Sequence, residues 1–388
     1  KFYVLPGLRH LILGVDAMLT FSLIRDPHGN ILQFIDSSFF KITGEYLQNN
    51  ETNAIQIDDT NRQACDEILK KHNEVFAQSK GEVGQIIGDY CYINLENNIP
   101  INQKAYRTST IDQDKIDNQI TDLLNRDLIE RSTSNYSFPV VLVNKKDDGE
   151  KTRLCIDYRK LNSITIPERY PMPNIRDIED KLLNAEFFST LDISSGFHHI
   201  RVAPEDKTKT AFVTMHEHFQ WKVMPFGLKN APAIFQRIVY NILKRNNLTA
   251  FSHNYIDDII IFSKTTNEHL QHIDQVLKVM KKENVKLKQS KCFFMKKSVT
   301  YIGHLISKNT IRPLNNNLSA ITDYPPPHDK KTLRRFLGKI NFYHRFIPDR
   351  TELLDPLYDL LKKEHQFKWS EDKQKSFVKI KEILTSEL

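Results

Sequence analysis

The stretch that most restricts what this chain can become is Phe251–Ser263, FSHNYIDDIIIFS. Two adjacent carboxylates, Asp257 and Asp258, abut a run of pure hydrocarbon, Ile259 to Phe262, with Tyr255 and Ile256 on their other side. β-Branched residues on both sides favour two short strands, with the acids at or near the turn between them. An ionised acid beside such a run is costly unless something compensates its charge. Successive strand side chains point to opposite faces, but a tight turn relaxes that rule and lets one or both acids reach a common point. A divalent cation is a simple compensation, because it cancels charge and takes oxygen ligands. The chain has two other Asp-Asp pairs, Asp58-Asp59 in a polar stretch and Asp147-Asp148 before Gly149. Both read as solvated loop or turn acids.

At 388 residues the chain can bury a large core, with room for about two or three domains. Lys plus Arg exceed Asp plus Glu by 55 to 48, an excess that fits a polyanion partner without demanding one. Cys65, Cys91, Cys155 and Cys292 include no close pair, which argues against a disulfide framework or a zinc knuckle and for a reducing, intracellular setting. No signal peptide is read, and the start at Lys1 suggests a fragment or processed piece. The best apolar run, Leu11–Val15, stops at Asp16, far short of a bilayer span.

Along the chain, Leu5–Phe34 reads as short strands and Gln48–Asn98 as a polar linker with one helix around Gln63–Phe76. Ile116, Ile120, Leu123 and Leu124 give a helical spacing within Ile111–Leu128. Two strands, FPVVLVN and TRLCIDY, flank a basic turn at Lys145–Lys151. Phe187–Ile200 is apolar around a single acid, Asp192. Val223–Gln236 holds a Pro-Phe-Gly turn, and a helix starts near Asn230 with Pro232 in its first turn. Leu270, Ile273, Leu277 and Met280 mark another helix. Short strands are expected at Val285–Lys288 and Thr300–Ser307. After the stiff Pro325-Pro326-Pro327 break, Leu333, Phe336, Leu337 and Ile340 line one face of a helix; Lys331, Arg334, Arg335 and Lys339 occupy much of the rest. That face is either simply solvated or laid along a phosphate backbone. The order of elements suggests a mixed α+β domain whose antiparallel sheet, backed by helices, brings Asp192 close to the acid-pair turn.

Three carboxylates from two strands can hold two Mg²⁺ ions about 3.5–4 Å apart. With a nucleoside triphosphate and a few cations such as Lys145, Lys146 and Arg153, that set suffices for phosphoryl transfer. There is no G-x-x-x-x-G-K-[ST] loop and no G-x-G-x-x-G fingerprint. His198-His199 and His216-x-His218 lack a suitably spaced further ligand, so they read as surface or packing histidines.

At these residues a family can be named. YIDD at Tyr255–Asp258, LDISSGFHHI at Leu191–Ile200 and MPFGLKNAPAIFQ at Met224–Gln236 resemble the catalytic and template–nucleotide boxes of reverse transcriptases of gypsy-class long-terminal-repeat retrotransposons. FPVVLVNKKDDGEKTRLCIDYRKLN resembles their fingers hairpin, SKCFF and YIGHLIS their downstream boxes, LRRFLGKINFYHRFIP their thumb and FKWSEDKQKSF the start of their tether. Thr152 departs from the bulky residue usual in that hairpin. HLILGVDAML at His10–Leu19 resembles the closing segment of a retropepsin, but no Asp-Thr/Ser-Gly triplet is present.

The resemblance implies a right-hand polymerase of fingers, palm and thumb, making DNA on RNA or DNA templates with Mg²⁺, Mn²⁺ substituting. It implies Asp192, Asp257 and Asp258 as metal acids, Asp258 less directly. Arg153 and Lys145 or Lys146 would clamp the triphosphate, Phe197 would exclude a ribose 2′-hydroxyl, and Phe226, Gly227 and Lys229 would line the nucleotide and template pocket. Tyr255 would sit beside the substrate, Lys291 is a candidate proton donor to pyrophosphate, and Arg334, Arg335 and Lys339 would contact nucleic acid. The implied domains are a protease remnant over 1–45, a linker over 46–98, fingers and palm over 99–310, thumb over 311–365 and a truncated tether over 366–388, with no RNase H activity. Primer–template and deoxynucleoside triphosphates are the implied partners, a dimer is one assembly this allows, and the setting is cytoplasmic, within a virus-like particle, with a nuclear stage. The rival expectations are a nucleic-acid-binding remnant that no longer copies its template and a metal-dependent nuclease.

Overall fold

The computed structural model describes residues 59–79, 81–144, 152–173, 178–314, 318, 321–341, 343, 346–362 and 366–385, and three short strands before them. The chain divides into two compact units, Lys1–Thr52 and Asn53–Leu388. In the first unit Ile24–Arg25, Ile31–Gln33 and Phe39–Lys41 form an antiparallel sheet in sequence order. The segment read as the end of a retropepsin lies outside the described residues.

The second unit is built on a four-stranded sheet. Its strands are β1 (Phe187–Asp192), β2 (Ser252–Tyr255), β3 (Asp258–Ser263) and β4 (Phe293–Lys296). They lie in the order β2-β3-β1-β4, each antiparallel to its neighbours. The unbroken apolar run in β3 follows from burial on both faces. Ile259 and Ile261 pack towards helices α1 (Ala231–Arg245) and α2 (Thr266–Lys282), whereas Ile260 and Phe262 pack on the other side with Phe188, Leu182, Val299 and Ile306. Helix α1 buries Phe235, Ile238, Val239, Ile242 and Leu243 as their spacing predicts. Helix α2 starts at a capping box, where Thr265 accepts from the Glu268 amide and Glu268 reaches back to the Thr265 amide.

A five-stranded sheet forms the fingers, in the order Ile129–Arg131, His218–Trp221, Phe212–Val213, Phe138–Asn144 and Thr152–Ile156. Helix Thr110–Asn125 covers it with Ile116, Ile120 and Leu123. Farther on, Leu333, Phe336, Leu337 and Ile340 of α3 (Lys330–Asn341) share a separate core with Leu354, Leu357, Phe377 and Ile380. Helix Glu371–Thr385, within the segment expected to begin a tether, is therefore packed into the same core as the thumb helix.

Three sequence expectations change. The described part of the 46–98 linker is core structure: helix Asp59–Lys71 is followed by Val75, Phe76, Ile86, Cys91 and Ile93, all buried in the main core. Its strand Tyr90–Cys91 also pairs with Arg201–Val202, a backbone contact that the polar composition of the segment does not signal. Val285–Lys288 is no strand, since only Leu287 bridges, to Phe76 and Ile193. Thr300–Ser307 is broken by a turn at Ile302 and Gly303, both at positive φ, into the hairpin Ser298–Tyr301 and His304–Ser307.

Behind the sheet, buried His269 lies between Ser189 Oγ at 2.8 Å and Ser263 Oγ at 2.7 Å, joining β1 and β3 to α2. Burial pushes His269 and His198 down to about 3 and His199 to about 4. The unfolded chain binds these protons near pH 6.5 and the folded chain does not, so stability falls as pH drops from about 6.5 towards 4. Asp257, raised to about 7, and Asp258, also raised, act in the opposite sense but are two groups against three. Thermal scans by circular dichroism should therefore give a melting point several degrees lower at pH 5 than at pH 7.5; an equal or higher value at pH 5 would refute this account.

Candidate active site

Strands β2 and β3 pair Tyr255 with Asp258, leaving Ile256 and Asp257 as a two-residue turn. Ile256 sits at φ 52°, a left-handed conformation that a β-branched residue adopts only under constraint. The constraint is Gln236, buried on α1. Its Oε1 accepts from the Ile256 amide at 2.7 Å, and its Nε2 donates to the Asn254 carbonyl at 3.0 Å. The Asp257 carbonyl accepts from the Ile193 amide at 3.0 Å, tying the turn to the end of β1. Gln236→Leu keeps the volume but leaves a buried amide unpaired, costing about 1–3 kcal/mol. Template-directed nucleotide addition should fall about ten-fold or more with the fold retained, measured by primer extension alongside a melting curve. Unchanged extension would remove Gln236 from the site.

Asp192, the last residue of β1, stands directly opposite Asp258 in the ladder. Directly opposed residues project on one face with Cβ atoms about 4.5–5.5 Å apart. Asp257 comes up beside them from the turn, against Gly196. A Cβ at Gly196 would lie 2.2 Å from Asp257 Oδ1 and 2.8 Å from Phe235 Cζ. The three acids are thus neighbours, as the sequence led us to expect.

Their electrostatics follow from that proximity. Burial, then Asp192 and then Asp258, pushes Asp257 up to about 7. Burial and then Asp192 raise Asp258. Lys291 Nζ pairs with Asp192 Oδ2 at 3.1 Å. Asp257 Oδ1 is buried with no hydrogen-bond partner, an orphaned acceptor that a cation would satisfy. Among the described residues, no three His, Cys, Asp or Glu side chains form a ready-made metal cage. An ion such as Mg²⁺ takes one or two carboxylates and completes its shell with water and phosphate oxygens, and the orphaned Oδ1 of Asp257 beside Asp192 and Asp258 offers it such ligands. The acid set fits such an ion as an open site.

Next to the acids is an aromatic cluster. The Phe197 ring lies 5.1 Å from that of exposed Phe226 and 5.6 Å from that of Phe235. Arg153 Cζ is 5.8 Å from the centre of the Phe226 ring. Gly227 follows at φ 95°. Asn162 brackets this turn: its Nδ2 donates to the Gly227 carbonyl and its Oδ1 accepts from the Lys229 amide, both at 2.8 Å. The Lys229 amine donates to the Thr165 carbonyl at 2.9 Å, tying this turn to the end of the helix Arg159–Ile164. Tyr255 is half-buried at the end of β2. Lys145 and Lys146 lie outside the described residues. Arg334, Arg335 and Lys339 are exposed on α3, and Lys339 Nζ lies 5.1 Å from the Tyr324 ring centre. His198 and His199 are buried packing residues, and His218 Nε2 lies 3.0 Å from the Tyr136 carbonyl.

Gln236, Gly196 and Asn162 were assigned no role from the sequence. A glutamine adjoining the apolar face of α1 and a glycine just before Phe197 were the available signals, but the partners of both are distant in the chain.

A sheet carrying acids at a strand end and an adjoining turn, backed by two helices, with fingers and thumb attached, defines a right-hand polymerase of the α+β class. Within it, residues 143–306 match the family described as "Reverse transcriptase (RNA-dependent DNA polymerase)". The chain is 42% identical over 274 residues to the Retrovirus-related Pol polyprotein from transposon 297 of Drosophila melanogaster, covering 70% of this chain and 26% of that protein. It is 34% identical over 352 residues to the corresponding polyprotein from transposon gypsy of the same species, covering 87% and 34%. Among solved structures, a foamy viral protease-reverse transcriptase in complex with double-stranded DNA superposes with a TM-score of 0.75 at 26% identity, over 86% of this chain and 58% of that one. The chain thus carries a reverse transcriptase domain of the kind found in Pol polyproteins of gypsy-type and other long-terminal-repeat retrotransposons. It spans only about a quarter to a third of the length of those two relatives.

Proposed function

We propose that this chain copies RNA and DNA templates into DNA, adding nucleotides to a primer 3′-hydroxyl by two-metal transfer. The observation that carries the reading is the register of Asp192 opposite Asp258, beside the Asp257 turn. Two Mg²⁺ ions held by these acids would polarise the primer hydroxyl and neutralise the leaving pyrophosphate. Asp192, Asp257 and Asp258 supply the oxygen ligands, and Gln236 and Gly196 fix where Asp257 points. Arg153, beside Phe226, offers a guanidinium to the triphosphate. The exposed cations of α3 offer phosphate contacts to a duplex, and the foamy viral neighbour was solved in complex with double-stranded DNA. Lys145 and Lys146 remain candidates for the triphosphate, and Lys291 for the proton that pyrophosphate takes.

The test is primer extension on poly(rA)·oligo(dT) with Mg²⁺ or Mn²⁺. Extension that disappears in Asp192→Asn supports the enzyme. Template binding without extension would favour a binding remnant, and cleavage of the template a nuclease. Binding should weaken steeply with salt. Phe197, lying against Phe226 and Phe235, would crowd a ribose 2′-hydroxyl. Phe197→Val should raise ribonucleotide incorporation relative to deoxyribonucleotide by about ten-fold or more, read from the ratio of kcat/KM values; an unchanged ratio removes Phe197 as the gate.

A further inference from the structure

We propose that Lys291 is a resident counter-ion that competes with the divalent cation for Asp192 and so sets how tightly the acid site takes metal. This rests on reading Asp192, Asp257 and Asp258 as the metal acids. Lys291 Nζ lies 3.1 Å from Asp192 Oδ2, and among the described residues no other cation pairs with any of the three acids. The backbone on both sides holds the lysine there. The Lys288 amide donates to the Asp192 carbonyl at 2.8 Å, and the Lys291 amide closes the turn on the Lys288 carbonyl at 2.9 Å. Just beyond, Phe293 of β4 pairs with Thr190 of β1. The segment that carries Lys291 is therefore laced to the strand that ends in Asp192.

The two partners differ in freedom. The Asp192 side chain is 19% exposed and that of Lys291 57%. Asp192 is fixed by its strand, whereas a lysine stem can swing into water with little loss of packing. A metal ion approaching Asp192 Oδ2 meets an ammonium already on that oxygen, and both charges are positive. Metal entry thus requires the ammonium to leave, and the pair lowers metal affinity by what it contributes to holding Asp192.

The experiment measures Mn²⁺ binding to the full chain without nucleotide, by the loss of the free-ion electron paramagnetic resonance signal. Lys291→Met keeps the stem and removes the charge. It should bind Mn²⁺ about five-fold more tightly at low ionic strength, and the gap should narrow as salt rises. Lys291→Arg should bind like the parent. Lys296→Met, on the same segment but paired opposite Phe188, should also bind like the parent. If Lys291→Met binds no more tightly while Asp192→Asn loses Mn²⁺, the counter-ion role is overturned and the metal site stands. If Lys296→Met tightens binding as much, the effect is one of net charge and the proposal fails. If Asp192→Asn binds as the parent does, the metal reading falls and the proposal with it.

Discussion

Asp257→Asn is expected to abolish primer extension, by about a thousand-fold or more, and yet to melt at a higher temperature than the parent in the absence of divalent cations. Both effects have one cause. Asp257 Oδ1 is buried without a partner and the carboxyl is flanked by two other acids. Its pKa rises from 3.8 to about 7, so the folded chain holds a proton more tightly than the unfolded chain. The sign follows directly: the raised group is harmless below about pH 3.8, and its cost grows as pH rises through 7 and is complete above it. A shift of this size corresponds to about 4 kcal/mol at pH 8, partly offset by the lost packing of the native side chain. Asparagine carries no charge, so the cost vanishes, along with the ligand that catalysis needs. Thermal scans in EDTA at pH 8 and pH 5 check it. The gain should be largest at pH 8 and less than half as large at pH 5, and Mg²⁺ should stabilise the parent more than the variant. A lower melting point for Asp257→Asn at pH 8 would end this account.

Gly196→Ala is the second large effect. One added methyl would sit 2.2 Å from Asp257 Oδ1 and 2.8 Å from Phe235 Cζ. Neither neighbour can easily give way. Phe235 is fully buried in α1, and Asp257 is fixed by the turn that Gln236 holds. The least costly response is for the Asp257 carboxylate to move off the position it shares with Asp192 and Asp258. Displacements of about 1 Å at a reacting centre cost about a hundred-fold in rate. Extension should therefore fall by about that factor or more, while the far-ultraviolet spectrum and cooperative melting persist, with a loss of about 1–3 kcal/mol from overpacking. An alanine variant that extends primers at the parent rate would show that Asp257 is not held where the glycine places it.

Much of this was legible in the residues. The helical spacing of Phe235, Ile238, Val239 and Ile242, and the strand-forming run after Asp258, are local patterns, and the elements formed where those patterns lay. The segment over 46–98 misled because its composition is polar. Its described part is tied in part by backbone bonds to distant carbonyls, such as the Ile86 amide to the His199 carbonyl and the Ala77 amide to the Leu287 carbonyl, and hydropathy carries no trace of those.

By itself the sequence determined the elements, the residue types at the strand ends and the charge that had to be neutralised, because these depend on neighbours along the chain. Tertiary structure alone decided that Asp192 faces Asp258, that Gln236 supports a left-handed Ile256, that Gly196 leaves room for a carboxylate and that Lys291 occupies Asp192. Each of those is a contact between segments remote in sequence, fixed by register and by the exclusion of volume. Neither has a local signature, since a side chain meets its partner only after the sheet has paired and the helices have closed over it.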